Sequence, residues 1–144
     1  NLIKDHPNSL GPNKKPLHTL SPTIWSKDGS LEFITGTRGG RYQPQLLAQT
    51  ILPYILEENS FEAIMKKPRW TIEYFGSDTT SNIKFEFLKE SELSYLEDKG
   101  HNISIENKLI GGYGPVSTIY KNSDGNFIGV PDIRVGTEKA FNSS

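Results

Sequence analysis

The sequence has 144 residues, with 16 Lys and Arg against 17 Asp and Glu, a formal net charge of −1 and no cysteine. That length suits a single domain or one piece of one, the balanced charge gives no sign of a nucleic-acid or membrane surface, and the lack of thiols excludes disulfides, zinc–thiolate sites and cysteine nucleophiles. No apolar run approaches the roughly 20 residues of a membrane-spanning helix, while seven Phe, six Tyr and two Trp argue against disorder.

Residue 1 is Asn rather than Met, and residues 1–16 are polar and punctuated by Pro7, Gly11, Pro12 and Pro16. This opening reads as the interior of a longer polypeptide, although a shortened, tagged chain would look the same. Residues 1–22 are expected to form an extended lead-in segment. Thr23-Ile24-Trp25-Ser26 reads as a strand, Asp28-Gly29 as a hairpin turn, and residues 31–35 as the returning strand. Next comes Gly36-Thr37-Arg38-Gly39-Gly40-Arg41-Tyr42-Gln43-Pro44-Gln45, followed by a long amphipathic run. Paired glycines at a strand–turn–helix junction leave backbone N–H groups bare and admit a ligand closely. Such donors suit an oxyanion, a carboxylate or a phosphate; the same residues also make a simple tight turn. Neither the P-loop nor the dinucleotide-binding spacing is present.

Pro44 suits a first helical turn, and Leu46, Leu47, Thr50, Ile51, Tyr54 and Ile55 share one broad apolar face. Pro53 inside that run is expected to kink or divide the helix. Ser60 reads as the N-cap of a second helix over 61–66, stopped by Pro68. Residues 71–75 form a strand candidate, 76–82 a polar loop, and Ile83, Phe85 and Phe87 alternate as a half-buried strand over 83–88. Residues 90–99 read as a helix ended by Gly100, 102–106 as a strand, and 116–120 with 126–130 as a second hairpin around Asp124-Gly125. The tail 137–144 is expected to be loose. Strands in hairpins and helices in succession make 1–144 a single α+β piece, mostly antiparallel sheet with flanking helices, rather than a βαβ array.

Several of these residues carry a family resemblance. Gly11-Pro12-Asn13-Lys14-Lys15-Pro16-Leu17-His18-Thr19-Leu20-Ser21-Pro22-Thr23 resembles the Gly-Pro-Asn-Lys-Arg-Pro-Leu-Ser-Ser-Met-Ser-Pro-Thr stretch of the γ-glutamyltranspeptidases. In that family an Asp-Gly hairpin turn and then Gly-Ser-Pro-Gly-Gly-Ser follow; here Asp28-Gly29 and Gly36-Thr37-Arg38-Gly39-Gly40-Arg41 fall in the same order and spacing. Lys67-Pro68-Arg69 is similar to its Ala-Pro-Arg, Glu86 to a Glu on a strand, and Lys99-Gly100-His101 to its Lys-Gly-His turn. Asp124-Gly125 and Asp132-Ile133-Arg134 resemble its Asp-Gly and Asp-Pro-Arg ending.

The resemblance implies a four-layer αββα sandwich, the N-terminal-nucleophile hydrolase fold, shared by a large and a small subunit cut from one precursor. This chain would be the C-terminal part of the small subunit, with the nucleophilic Thr upstream of residue 1. Its partners would be the large subunit and the N-terminal part of the small subunit, and its substrate a γ-glutamyl small molecule or peptide. The chemistry would be acyl transfer or hydrolysis through a threonyl acyl-enzyme, with the amides of Gly39 and Gly40 as the oxyanion hole. His18 and Thr19 stand where the family has a Ser-Ser pair that grips the substrate α-carboxylate; Thr19 keeps a hydroxyl and His18 does not. Arg38 and Arg41 replace Pro and Ser around the glycines, either to pair with a substrate carboxylate or as plain salt-bridge residues. A longer acidic substrate such as poly-γ-glutamate falls within this reading, since capsule depolymerases belong to the superfamily. Arg69, Asp132 and Arg134 read as buried ion pairs, and His101 as a capping residue. No cofactor is implied, and three His without HxH or HExxH spacing speak against a metal site. Family members are usually periplasmic, secreted or membrane-anchored, while nothing in this chain inserts into a membrane. The alternatives are an amidase of the same fold acting on another acyl group, and a non-catalytic binding or scaffold fragment.

Overall fold

Asp28 and Gly29 both adopt positive φ, 51° and 77°, as a two-residue type I′ turn requires. They join strand β1 (Thr23–Lys27) to β2 (Ser30–Thr37) as an antiparallel hairpin. The computed structural model describes residues 3, 6–15, 18–73 and 81–136; most of the loop expected at 76–82, the end of the strand expected at 71–75 and the tail 137–144 lie outside them. After β2 come α1 (Gln43–Glu57), α2 (Phe61–Lys66), β3 (Trp70–Glu73), β4 (Asn82–Phe85), α3 (Glu90–Asp98), β5 (Asn102–Ile105), β6 (Val116–Lys121) and β7 (Phe127–Val130). Single 3-10 turns precede α1 at Gly40–Tyr42 and β6 at Gly111–Tyr113.

The larger sheet has the order β1-β2-β6-β7 and is antiparallel throughout, the smaller has the order β3-β4-β5. Within the smaller sheet β3 and β4 are antiparallel, whereas β4 and β5 run parallel across the α3 connection. Helices α1 and α2 cover one face of the larger sheet. Phe33 of β2, Val116 of β6 and Val130 of β7 meet Leu46, Leu47 and Ile51 of α1 and Phe61, Ile64 and Met65 of α2 there. Phe61 is the hub: its ring lies 5.2 Å from Phe33, 4.3 Å from Tyr54 and 5.6 Å from Tyr120, centroid to centroid. Buried polar groups on this face are paired across the strands, as in the 2.8 Å hydrogen bond between the hydroxyls of Thr35 and Thr118. The opposite face is bare: Ile24, Ile34 and Ile119 lie in register across three strands and are exposed, and Phe127 is exposed beside them.

Two expectations change in detail. Helix α1 is not divided at Pro53, which sits within its last turns, so the missing N–H deprives one carbonyl, that of Gln49. The helix stops instead at Glu58, whose φ of 53° turns its N–H, and that of Asn59, back to the Pro53 carbonyl. Strand β4 ends at Phe85, three residues before the alternation does, because the Glu86 side chain turns into a buried ion cluster; only the Glu86 N–H, bonded to the Arg69 carbonyl at 2.9 Å, continues the ladder. The helix caps are as expected. Ser60 Oγ accepts from Ala63 N at 3.2 Å, and the Gly100 and His101 amides return to the Glu97 and Leu96 carbonyls in a Schellman arrangement.

A six-residue helix cannot hold itself together in water, so α2 depends on burying Phe61, Ile64 and Met65. Phe61→Ala is expected to destabilise the protein by about 3–5 kcal/mol, measured by chemical denaturation, with Phe61→Leu well below that.

Candidate functional site

Strand β2 ends at Thr37 and α1 begins at Gln43, so Arg38–Tyr42 must turn from the sheet into a helix within five residues. Gly39 is extended in φ at 162°, and Gly40 has φ +54°, a region L side chains rarely adopt. The turn closes through Tyr42 N–H donating to the Gly39 carbonyl at 3.0 Å and Gln43 N–H to that of Gly40. Among the described residues, the Gly39 and Gly40 amides themselves donate to no protein acceptor. They sit just ahead of the N-terminus of α1, where the helix dipole favours negative charge.

Gln43, itself buried, joins this turn to the other expected binding segment. Its Nε2 donates to the Thr19 carbonyl at 2.8 Å and its Oε1 accepts from Ser21 N at 3.1 Å. His18 and Thr19, well before the turn in sequence, are thereby tethered beside the start of α1, with both side chains exposed. Arg38 and Arg41 are exposed on the turn, the Arg41 guanidinium lying 5.5 Å from the centre of the Tyr42 ring. The same side-chain amide grip recurs further along α1, at Gln45 and Gln49. Gln45 brackets Ile72 (2.7 Å to its N, 3.3 Å to its carbonyl) and Gln49 brackets Trp70 (3.0 and 2.8 Å), which zips the free edge of β3 to the helix.

Glu86, Arg69, Asp132 and Arg134 form a cluster of four buried charges. Asp132 accepts from Arg69 Nη1 at 2.6 Å and Arg134 Nη1 at 3.2 Å, and from the backbone N–H groups of Val116 (2.8 Å) and Arg134 (3.0 Å). Glu86 accepts from Arg134 Nε at 2.6 Å and from Arg134 Nη2, and from the backbone N–H groups of Arg69 and Ile110, both at 2.8 Å. The remaining Arg134 protons reach the Met65 and Lys67 carbonyls at 3.0 and 2.9 Å. Burial pushes the Asp132 carboxyl up, but the Arg69 charge and the Val116 and Arg134 amides outweigh it and hold the group below its ordinary value. Burial and the neighbouring Arg134 charge lower Arg69, whereas Glu86 raises Arg134 against its burial. The three residues expected to form buried ion pairs do so.

The sequence reading missed two parts of this neighbourhood. One is Gln43, whose role depends on a tertiary contact. The other is Gly111-Gly112-Tyr113-Gly114, a glycine-rich run visible in the sequence and given no role there. Gly114 has φ +83°, and its carbonyl accepts from Thr37 Oγ1 at 3.1 Å. Away from these residues, a largely apolar cavity of about 630 Å³ lies between the smaller sheet and α3, lined by Trp70, Phe85 and Leu96 among others; none of the expected site residues lines it.

With this geometry in hand, comparison with known proteins is informative. The family model described as Gamma-glutamyltranspeptidase matches residues 1–141. The oxamate amidohydrolase proenzyme of Klebsiella pneumoniae is 25% identical over 134 residues, covering 92% of this chain and 25% of that protein. A glutathione hydrolase proenzyme of Bacillus subtilis is 30% identical over 126 residues, covering 87% of this chain and 20% of that protein. The crystal structure of the Bacillus anthracis transpeptidase enzyme CapD superposes with a TM-score of 0.71 at 26% identity, covering 91% of this chain and 75% of that one. The chain thus spans a quarter or less of the length of these proenzymes.

The depressed Asp132 carboxyl has a definite sign. Its contribution to stability is present above the ordinary Asp value and is lost as pH falls below about 4, through the folded-state value. Asp132→Asn is expected to flatten that acid limb while lowering stability at neutral pH, since Arg69 loses its buried countercharge. Melting temperature followed by circular dichroism against pH checks this; an acid limb as steep as before would contradict it.

Proposed function

The chain belongs to the gamma-glutamyltranspeptidase family, and from that premise we propose that it is the C-terminal part of the small subunit of an autoprocessed acyl-transfer enzyme. A threonine upstream of residue 1 attacks the carbonyl of a γ-glutamyl amide, with its own α-amino group as base. The amine leaves, and water or an acceptor amine resolves the acyl-enzyme. A tetrahedral oxyanion forms in each half-reaction, and the amides of Gly39 and Gly40 stabilise it. The observation that carries this reading is a pair of neighbouring amides without protein acceptors among the described residues, in a turn at the N-terminus of α1, tied through Gln43 to His18–Thr19. Fixed donors of this kind act where charge develops and need no reorganisation during the reaction.

Thr19 and His18 hold the α-carboxylate end of the donor, and Arg38 and Arg41 face its acidic remainder, Arg38 presenting an exposed guanidinium one residue before the glycines. The bare outer face of the larger sheet is where the rest of the precursor packs, its second sheet covering Ile24, Ile34, Ile119 and Phe127. Burial of such an apolar stripe is what a sandwich needs from its two halves. A second reading, an amidase for a different acyl group, draws on His18 in place of a hydroxyl and on the similarity to a protein named as an oxamate amidohydrolase.

Gly39→Val and Gly40→Val in the processed full-length protein are each expected to slow acyl-enzyme formation by about 100- to 1000-fold. At Gly40 a Cβ meets nothing within 4 Å, so the cost to the fold is confined to backbone strain at φ +54°, about 1–2 kcal/mol. Burst kinetics with γ-glutamyl p-nitroanilide beside other acyl anilides measure this and separate the two readings. Turnover surviving both substitutions excludes the oxyanion assignment, and hydrolysis by the purified 144-residue chain alone would contradict the upstream nucleophile.

A further inference from the structure

The geometry points to Gly114 as the positioning residue of the diglycine turn, with the 110–116 loop as its rigid mount. A Cβ on Gly114 would lie 1.3 Å from the Arg38 carbonyl oxygen, 2.5 Å from the Arg38 carbonyl carbon and 3.1 Å from Gly39 Cα. Those atoms belong to the peptide unit whose nitrogen is the Gly39 amide. Gly114 therefore abuts the carbonyl end of the peptide unit that carries the proposed donor, and any side chain there displaces it. Thr37 completes the contact: its hydroxyl lies 3.1 Å from both the Gly114 and the Arg38 carbonyl oxygens, so one proton bridges the two loops.

The loop is held at both ends. Ile110 N–H donates to Glu86 and Val116 N–H to Asp132, both at 2.8 Å, so each buried carboxylate fixes one end. At Gly111 the approach is also tight, since a Cβ would stand 3.1 Å from the Arg134 carbonyl oxygen. A four-charge cluster thus sets the loop and the loop sets the turn. The approach is available only to glycine at φ +83°.

This inference rests on the reading of the Gly39 amide as an oxyanion donor, and two readouts keep the two apart. In the processed full-length protein, Gly114→Ala is expected to lower kcat for acylation by γ-glutamyl p-nitroanilide by about 100-fold with KM little changed. It should also speed amide hydrogen exchange in the peptide spanning residues 36–42. Should Gly114→Ala fail to fold, Thr37→Val and Thr37→Ser decide the matter. The Val variant removes the bridging proton and should show both changes in weaker form, and the Ser variant should restore the rate and the exchange pattern. Wild-type kcat and exchange in Gly114→Ala, or in Thr37→Val, overturn the positioning role even if Gly39→Val abolishes turnover. Faster exchange at 36–42 with turnover insensitive to Gly39→Val and Gly40→Val leaves the positioning role standing and removes the oxyanion reading.

Discussion

Two carboxylates and two guanidiniums, all nearly inaccessible to water, set the geometry of this chain. Taking four charges out of water is expensive, and the mutual attraction offsets that only when every lone pair and proton finds a partner. Glu86 and Asp132 meet that demand with backbone as well as with arginine. Each accepts two main-chain N–H groups, and each thereby pins one end of the 110–116 loop. Arg134 spends its spare donors on the carbonyls of Met65 and Lys67, at the end of α2. The cluster is thus a junction where α2, the end of β4, the start of β6 and the segment after β7 are held in one arrangement. Releasing one partner would strand a charge and loosen several loops together.

A second device organises the other side of the molecule. Helix α1 presents three glutamines whose amide groups each pair with main-chain N–H and C=O groups: Gln43 with residues 19 and 21, Gln45 with residue 72, Gln49 with residue 70. A side-chain amide has one strong acceptor and two donors, so it can bracket an extended segment as a neighbouring strand would. Gln45 and Gln49 stand one helical turn apart, and the residues they grip stand two apart on a strand, so both fit the same edge of β3. That edge is covered, and the unpaired N–H and C=O groups that would invite another strand are satisfied.

These two devices meet at the diglycine turn. Gln43 ties the 18–21 segment to its end, Gly114 lies against its Arg38 carbonyl, and β2 delivers it from the sheet that carries the core. A turn held between three distant segments depends on rigid supports. The packing of Phe61 against Phe33, Tyr54 and Tyr120 gives that rigidity an apolar foundation. The open face of the same sheet carries a register of exposed isoleucines.

Local order was legible from the residues alone. Asp28-Gly29 specifies its hairpin because both positions need positive φ, Ser60 caps α2 through its own hydroxyl, and Gly100 stops α3 as only a residue tolerant of φ +83° does so cheaply. The α+β class followed from strands in hairpins and helices in succession, the apolar face of α1 from helical spacing, and the family resemblance from short motifs in the same order along the chain. The tertiary structure alone decided what depends on separation along the chain. Strand pairing sets β4 parallel to β5, Glu86 leaves its strand because two distant backbone N–H groups and Arg134 demand its oxygens, and Pro53 is tolerated because it falls near the helix end. Gly114 has the same character. A glycine in sequence says only that φ is free, whereas its need for glycine comes from the Arg38–Gly39 peptide brought against it by the intervening fold. Local propensity acts through neighbours in the chain, but close approach and charge satisfaction act through neighbours in space, and only the folded molecule says which residues those are.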